Sequence, residues 1–154
     1  MKHILFFLFT ISAAFIACSS SKKANSSMIT QGITGYITEA IGNQMPMKDA
    51  PLPVGKGVLT TVLVYEPTNL HQVSRIGTSP LYTAISTKLV ASVQTDSTGA
   101  FTVDLPAGSY SLFVQQGKQF YANLFDVNNN IALFTVEEGK LTRADLKISS
   151  KASY

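Results

Sequence analysis

The chain has 154 residues, of which 45% are apolar and only 14% are charged, and its formal net charge is +3. This length suggests one domain, and the composition is not that of a disordered, collagen-like or coiled-coil chain. The small net charge provides no surface suited to nucleic acid, so no nucleic-acid partner is expected.

The first 17 residues have the composition of a secretory signal peptide. They contain 13 apolar residues and four of the nine phenylalanines, after a basic start at Lys2. The apolar run from Ile4 to Ala17 is 14 residues long, whereas a helix needs about 20 residues to span a bilayer. A basic start, a short apolar middle and small residues at the end predict a signal peptide over residues 1–17.

The apolar run stops at Cys18, the only cysteine of the chain. The stretch Phe15-Ile16-Ala17-Cys18 resembles the lipobox of bacterial lipoproteins, in which the cysteine carries the lipid. The resemblance implies a lipid anchor on Cys18 in the bacterial cell envelope, and Ser19 is compatible with the outer membrane. Two or three acyl chains suffice for stable anchoring. The alternative is a signal peptide cleaved elsewhere, with Cys18 removed or left as a free thiol.

Residues 18–28 are predicted to be the lipidated cysteine and a flexible tether. Positions 19–28 contain five serines, two lysines and an asparagine, a composition that forms no core. Lys22 and Lys23 have the wrong charge for the acidic stretch that sends some lipoproteins to the cell surface. We therefore expect the domain to face the periplasm.

The remainder, residues 29–154, is predicted to be one all-β domain. Apolar and polar residues alternate with a period of two, which places one face of a strand on a core. Along 85–95, for example, the alternation places Leu89, Ala91 and Val93 inward. Strands are predicted at 32–39, 60–66, 85–95, 101–105, 110–115, 131–137 and 144–149. About seven short strands separated by Gly-, Asn- and Pro-containing turns predict a single antiparallel Greek-key β-sandwich.

Two of the predicted strands, 60–66 and 131–137, are apolar on both faces. A strand that faces water on one side alternates between apolar and polar residues, so these two should be covered on both sides. We therefore expect them to lie centrally or beneath a loop.

Residues 95–112 (TDSTGAFTVDLPAGSYSL) carry a family resemblance. They resemble the T-D-x-x-G-x-F hairpin and the following L-P-x-G-x-Y of carboxypeptidase regulatory-like domains, which implies a transthyretin (prealbumin)-like β-sandwich. The local chemistry agrees, since Asp96 can cap its own turn and Gly99 can adopt a positive φ. The resemblance is looser over 32–149, and the insertion at 67–83 departs from the compact family pattern.

Candidate catalytic chemistry is sparse. The enzyme from which this family takes its name is a zinc carboxypeptidase, which needs two histidines and a glutamate as ligands. Beyond the signal peptide the chain has one histidine, His71, and it has no G-x-S-x-G motif for a nucleophilic serine. We therefore expect a protein that is not an enzyme and has no cofactor.

One spacing fits a calcium loop. Asp126, Asn128, Asn130 and Glu137 occupy positions 1, 3, 5 and 12 of an EF-hand-like loop. Position 6, normally glycine, is Ile131, and only two carboxylates are offered. The alternative is an Asn-rich hairpin turn, because asparagine tolerates left-handed backbone.

A partner-binding surface is predicted on the insertion together with the aromatic segment that follows Gly117. Its candidate residues are Asn69, His71, Arg75, Tyr82, Tyr121 and Asn123. Exposed tyrosine beside asparagine suits a peptide or a sugar, and long ordered loops are often functional.

Two functions remain as hypotheses. The first is a membrane-anchored envelope lipoprotein whose sandwich serves as a structural or protein-interaction module, with an envelope protein as the partner. The alternative is a carbohydrate-binding module of the starch-binding-like kind, in which the tyrosines hold a glycan. A fold of this class hosts several functions, so the site must decide between them.

Overall fold

The computed structural model describes residues 29–43 and 55–153. The predicted signal peptide, Cys18 and the tether lie outside the described residues. In the described part of the chain, no helix is both long enough and apolar enough to cross a membrane. The strands there form two sheets, so the prediction of an all-β sandwich is confirmed.

The first sheet is organised around one long strand, β1 (Gly32–Asn43). On one side β1 pairs antiparallel with β7 (Ala100–Asp104) and further along with β2 (Lys56–Gly57). On its other side it pairs with β11 (Leu141–Arg143) and then with β12 (Leu146–Ser153), and both of these pairings are parallel. The first sheet is therefore mixed, whereas the sequence predicted antiparallel pairing throughout.

The second sheet has seven strands and is antiparallel in every pairing. In spatial order they are β4 (Val73–Arg75), β5 (Leu81–Ile85), β9 (Gln119–Tyr121), β8 (Gly108–Gln116), β3 (Thr61–Tyr65) and β6 (Leu89–Gln94), with β10 (Leu133–Val136) paired to the first half of β8.

The main core lies between the two sheets. Its buried side chains include Ile33 and Ile37 of β1, Leu112 and Val114 of β8, and Ile148 of β12. The turn predicted between β6 and β7 has the expected geometry. There the Oδ1 atom of Asp96 accepts hydrogen bonds from the backbone N–H groups of Thr98 (2.8 Å) and Ala100 (3.0 Å), and Gly99 has a φ of +84°.

A second, smaller core covers the outer face of the second sheet. It consists of Leu63, Tyr65, Tyr82, Phe113, Ala122, Ile131 and Ala132. In the predicted strand 60–66, Val62 and Val64 enter the main core while Leu63 and Tyr65 enter the second core. In the predicted strand 131–137, Val136 enters the main core while Ile131 and Ala132 enter the second core. This confirms that the two segments predicted to be apolar on both faces are covered on both sides.

The predicted strand 85–95 is interrupted, because β5 ends at Ile85 and β6 begins only at Leu89. The insertion 67–83 contains β4 and the first residues of β5. Polar side chains between the two strands explain the break. Ser86 donates both its N–H (2.9 Å) and its hydroxyl (2.5 Å) to the carbonyl of Gln72, and the hydroxyls of Thr87 and Thr68 lie 2.6 Å apart. An irregular register where β3 pairs with the start of β6 leaves Leu89 46% exposed, so its predicted inward placement is wrong.

The start of β1 is held by hydrogen bonds to two turns. Gln31 donates its side-chain amide to the carbonyl of Leu105 (2.9 Å) and accepts the N–H of Gly139 (2.8 Å). Gly32 donates its N–H to the carbonyl of Lys140 (3.1 Å). Two turns therefore hold the start of β1, which is the strand that follows the predicted tether.

Gly35 lies where β1 passes from one parallel neighbour to the next. The N–H of Ala144 donates to the carbonyl of Thr34 (2.8 Å), and the N–H of Tyr36 donates to the side chain of Asp145 (3.0 Å). A Cβ atom on Gly35 would lie 1.9 Å from the carbonyl oxygen of Ala144. Only glycine fits this close approach of two backbones.

Candidate functional site

Two loops lie side by side over the second core, and we call them the paired loops: residues 67–80 and residues 122–132. Asn69 and Asn130 form an isolated antiparallel bridge between them. The N–H of Leu70 donates to the carbonyl of Asn129 (3.1 Å), and the N–H of Ile131 donates to that of Thr68 (2.8 Å). Backbone hydrogen bonds thus hold the two loops as one unit.

Asn69 is the residue that joins them most directly. Its side-chain oxygen accepts from the N–H of His71 (3.2 Å), and its side-chain amide donates to the carbonyl of Asn128 (2.7 Å). The side chain of Gln72 in turn accepts the N–H of Asn69 (2.8 Å), which completes a capping box at the 3₁₀ turn Leu70–Gln72. His71 is exposed on this turn. Asn69 therefore serves the structure of the loops.

Asp126 organises the second loop. Its Oδ1 atom accepts the N–H groups of Asn128 and Asn130, both at 2.8 Å, and its Oδ2 atom accepts the side-chain amide of Asn130, also at 2.8 Å. Asn129, between them, has a φ of +61°. This is the Asn-rich hairpin turn that the sequence offered as the alternative to a calcium loop.

The structure does not assemble the calcium candidate. Glu137 lies beyond β10, whose four residues alone extend over about 13 Å, and its carboxylate forms an ion pair with Lys140. Both carboxylate oxygens of Asp126 are engaged within its own turn. In the described part of the chain, no group of three or more His, Cys, Asp or Glu side chains could hold a metal ion.

The turn held by Asp126 should respond to acid. The hydrogen bond from the side chain of Asn130, followed by the backbone N–H bonds, lowers the pKa of Asp126. Because the pKa of Asp126 is lower in the folded chain, its hydrogen bonds stabilise the fold fully at pH values above the unfolded-state pKa of about 3.9. This stabilisation is lost as the pH falls through the folded-state pKa. We expect the NMR resonance of the Asn130 N–H to titrate with a midpoint below about 3.9.

The variant Asp126→Asn is the control for that titration, because it retains a side-chain acceptor oxygen but has no carboxyl to titrate. Its Asn130 resonance should not show the acid transition. A wild-type midpoint at or above the ordinary aspartate value would contradict the structure of this turn.

The paired loops expose apolar side chains to solvent. Leu124 and Phe125 are each about 40% exposed, and Val127 at the tip of the hairpin is 98% exposed. The guanidinium of Arg75 lies 5.5 Å from the centre of the Phe125 ring and is held by the carbonyls of Thr78 and Ser79, each at 2.6 Å. A shallow cavity of about 150 Å³ runs alongside, with Leu124 and Phe125 on its wall. The predicted residue Arg75 thus belongs to an exposed, ordered surface.

The prediction of exposed tyrosines at positions 82 and 121 is wrong. Tyr82 is fully buried in the second core, where its ring meets Phe113 edge-on at 5.7 Å and its hydroxyl donates to the carbonyl of Ala122 (3.3 Å). Burial raises the pKa of the Tyr82 hydroxyl. Tyr121, one position along the neighbouring strand β9, points into the main core instead.

Tyr121 and Asn123 join the two sheets. The hydroxyl of Tyr121 donates to the carbonyl of Lys147 (3.2 Å) and accepts the N–H of Ser149 (3.0 Å), while the side chain of Asn123 donates to the same Lys147 carbonyl (3.3 Å). Among the described strands, β12 pairs only with β1. The two side chains therefore provide hydrogen-bond partners for backbone groups at the open edge of β12, and their role is structural.

Replacing Tyr121 by phenylalanine should destabilise the domain. The change leaves the N–H of Ser149 without its hydroxyl partner in a partly buried position, and unsatisfied groups of this kind cost about 1–3 kcal/mol. Urea unfolding should show this loss. In the matched control, Tyr110→Phe, the lost bond is an exposed one to the Pro106 carbonyl, and the cost should stay below about 1 kcal/mol. Equal losses in the two variants would contradict the edge role of Tyr121.

Sequence reasoning missed the residues that form the exposed surface, Leu124, Phe125 and Val127. Their signal was present, since apolar residues stand on both sides of a turn-forming aspartate. No protein-family model matches the chain, and no curated protein or solved structure is significantly similar to it. The resemblance to carboxypeptidase regulatory-like domains therefore stays a prediction that depends on residues 95–112.

Proposed function

We propose that this protein is a non-enzymatic lipoprotein of the bacterial cell envelope whose β-sandwich is a protein-interaction module. In this proposal the lipid on Cys18 holds the protein in the outer membrane, on the periplasmic side. The tether to residue 28 gives the domain reach, and the paired loops bind an envelope protein. The lipobox-like stretch before Cys18 and the Ser- and Lys-rich composition of the tether support the anchor.

The observation that carries the interaction role is the exposed apolar surface of the paired loops. Contiguous patches of exposed apolar side chains on a protein surface often mark interaction sites. Here Leu124, Phe125 and Val127 are presented by a hairpin that Asp126 and Asn69 hold in one conformation. A surface ordered in advance binds with a smaller entropic cost than a flexible loop.

A site-specific photo-crosslinker in the full chain tests this proposal. Placed at Val127, it should capture one envelope protein in intact cells, and the additional change Phe125→Ser should reduce the captured amount about tenfold or more. The matched control variant is Leu59→Ser, because Leu59 is also an exposed apolar side chain but lies away from the paired loops. Capture that survives Phe125→Ser, or that is equally strong with the crosslinker at Lys118, would overturn the proposed surface.

The same cells test the anchor. The variant Cys18→Ser should leave the membrane fraction, and the wild-type amino-terminal fragment should carry the mass of the acyl chains. Because this measurement does not involve the loops, the anchor and the interaction surface can fail separately.

The carbohydrate-binding alternative loses the patch on which it was based, because Tyr82 and Tyr121 are buried. Among the tyrosines whose side chains are described, Tyr36 is the one more than a third exposed. The guanidinium of Arg143 lies over its ring, 5.6 Å from the centre, where a sugar would have to stack. No feature of the described residues therefore favours a glycan over a protein partner.

A further inference from the structure

Arg75 is held in a fixed position by both of the paired loops. It ends β4, and its exposed guanidinium donates from Nε to the carbonyl of Ser79 and from Nη2 to that of Thr78, each at 2.6 Å. The same guanidinium lies 5.5 Å from the centre of the Phe125 ring, which belongs to the second loop. A turn of the first loop and a ring of the second therefore fix a positive charge at the surface.

The charge of Arg75 has no carboxylate partner in the described part of the chain. The ion pairs there are Lys140 with Glu137 and Arg143 with Asp145. A guanidinium has five N–H donors, and the two loop carbonyls accept from two of them. Two N–H groups on Nη1 and one on Nη2 form no hydrogen bond with the described residues. The guanidinium thus keeps three donors for an acceptor on another molecule.

Arg143 shows what completes such an arrangement. Its guanidinium lies 5.6 Å from the centre of the Tyr36 ring, a geometry close to that of Arg75 over Phe125. There Nε donates to the carboxylate of Asp145 at 2.7 Å, whereas Arg75 bonds to neutral carbonyls among the described residues. Hydrogen bonds between two charged groups are the stronger ones. The group that would complete the surroundings of Arg75 is therefore a carboxylate.

The charges of the paired loops favour a single carboxylate on a protein. Asp126 is the one acidic residue in 67–80 and 122–132, and both of its carboxylate oxygens accept N–H groups of its own turn. Arg75 is the one lysine or arginine in these two ranges. Anionic lipid surfaces are recognised by clusters of about 4–8 basic residues. One fixed guanidinium suits one acidic side chain better than a membrane.

An apolar cavity of about 150 Å³ lies beside the same aromatic ring. Its lining includes the apolar side chains of Leu124, Phe125, Leu133 and Phe134. Sites for small molecules measure about 300–1,000 Å³, so this cavity has room for one side chain and not for a small-molecule ligand. Side chains that fill such pockets carry much of the binding energy of protein interfaces. Phe125 thus joins a charged contact to an apolar one.

We propose that the envelope protein bound by the paired loops presents two neighbouring side chains. The first is an aspartate or glutamate whose carboxylate binds Arg75, and the second is a large apolar residue that enters the cavity beside Phe125. This inference rests on the proposed function, because it names the chemistry of the partner at that surface. Since one ring joins the two contacts, a short segment of the partner can make both.

Photo-crosslinking separates this inference from the proposed function. With the crosslinker at Val127 of the full chain, Arg75→Gln should reduce the captured amount of envelope protein about tenfold or more, the effect of losing a hydrogen bond to a charged group. The matched control is Arg143→Gln, which also removes an arginine from an aromatic ring but should leave capture unchanged. Capture that survives Arg75→Gln would overturn the inference and leave the proposed function standing. A wild-type chain that captures nothing would overturn both.

A double-mutant cycle distinguishes contact with the partner from a structural role of Arg75. Mass spectrometry of the cross-linked product identifies the partner segment, which should contain an acidic residue next to a large apolar one. The purified partner is then changed at that acidic residue to the matching amide. Its dissociation constant for the full chain in mild detergent is measured with and without Arg75→Gln. Because the two groups form one contact, the double change should weaken binding about as much as either single change.

Three results of these measurements would contradict the inference. Effects of the two changes that multiply would mean that Arg75 acts on the loops and not on the partner. A captured segment without aspartate or glutamate would lack the required carboxylate. Binding of the Cys18→Ser chain to phosphatidylglycerol vesicles that depends on Arg75, with capture independent of Arg75, would assign the arginine to a lipid headgroup instead.

Discussion

The variant Phe113→Ala is expected to lower the free energy of unfolding by about 3–5 kcal/mol. Phe113 is fully buried in the second core, and its ring meets Tyr65 edge-on at 5.5 Å and Tyr82 edge-on at 5.7 Å. Truncation removes its apolar area and leaves a cavity that two large rings cannot easily fill. Urea unfolding followed by circular dichroism measures the loss.

The control for that prediction is Phe125→Ala. Phe125 carries the same side chain but is 41% exposed on the paired loops, so its truncation should cost about 1 kcal/mol or less. Equal losses in the free energy of unfolding for Phe113→Ala and Phe125→Ala would mean that the outer face of the second sheet has no core of its own.

The variant Gly35→Ala is expected to be strongly destabilising, because two backbones approach closely at this point of the first sheet. The added Cβ would lie 1.9 Å from the carbonyl oxygen and 2.5 Å from the carbonyl carbon of Ala144, and both of these are backbone atoms. β1 and its parallel neighbour would have to separate at the point where β11 gives way to β12. We expect a loss of more than about 4 kcal/mol, seen as a shift of the urea midpoint or as insoluble protein.

Gly117→Ala provides the comparison for Gly35→Ala. Gly117 has a φ of +60°, and an added Cβ meets nothing within 4 Å. Its cost should be that of the left-handed backbone alone, about 1–2 kcal/mol, and the protein should stay soluble. A Gly35→Ala variant as stable as Gly117→Ala would mean that the two strands do not approach as closely as described.

The parts of the fold that depend on neighbouring residues could be predicted from the sequence. The alternation at 101–105 identified β7, and Asp96 with Gly99 identified the turn before it. The apolar faces of 60–66 indicated cover on both sides, which the second core provides. Each of these features is determined within about ten residues of chain.

The parts that depend on distant residues could not be predicted. The parallel neighbours of β1 come from residues more than a hundred positions away, and no local pattern distinguishes parallel from antiparallel pairing in so short a strand. The break at Ser86 arises because its hydroxyl and N–H bond to Gln72, 14 residues earlier. The alternation of apolar and polar residues in the sequence continues past Ser86, although the strand itself is interrupted there.

The candidate site shows the same division. The insertion was predicted to carry a surface, and Arg75 is part of one. Its neighbour Phe125, however, is brought there by hydrogen bonds such as that from Asn69 to Asn128, which spans 59 positions. The direction of Tyr121 could not be read from β9, because three residues are too few to establish an alternation.

The way β1 is held determines how the domain would respond to mechanical load. Any pull transmitted through residues that precede Gly32 acts first on Gln31 and on the two turns that it joins. Beyond them it acts along β1, which is hydrogen-bonded on both sides to four strands. A force along such a strand must shear many hydrogen bonds together instead of opening them one at a time. The strand that follows the predicted tether should therefore resist being pulled out of the sandwich along its length.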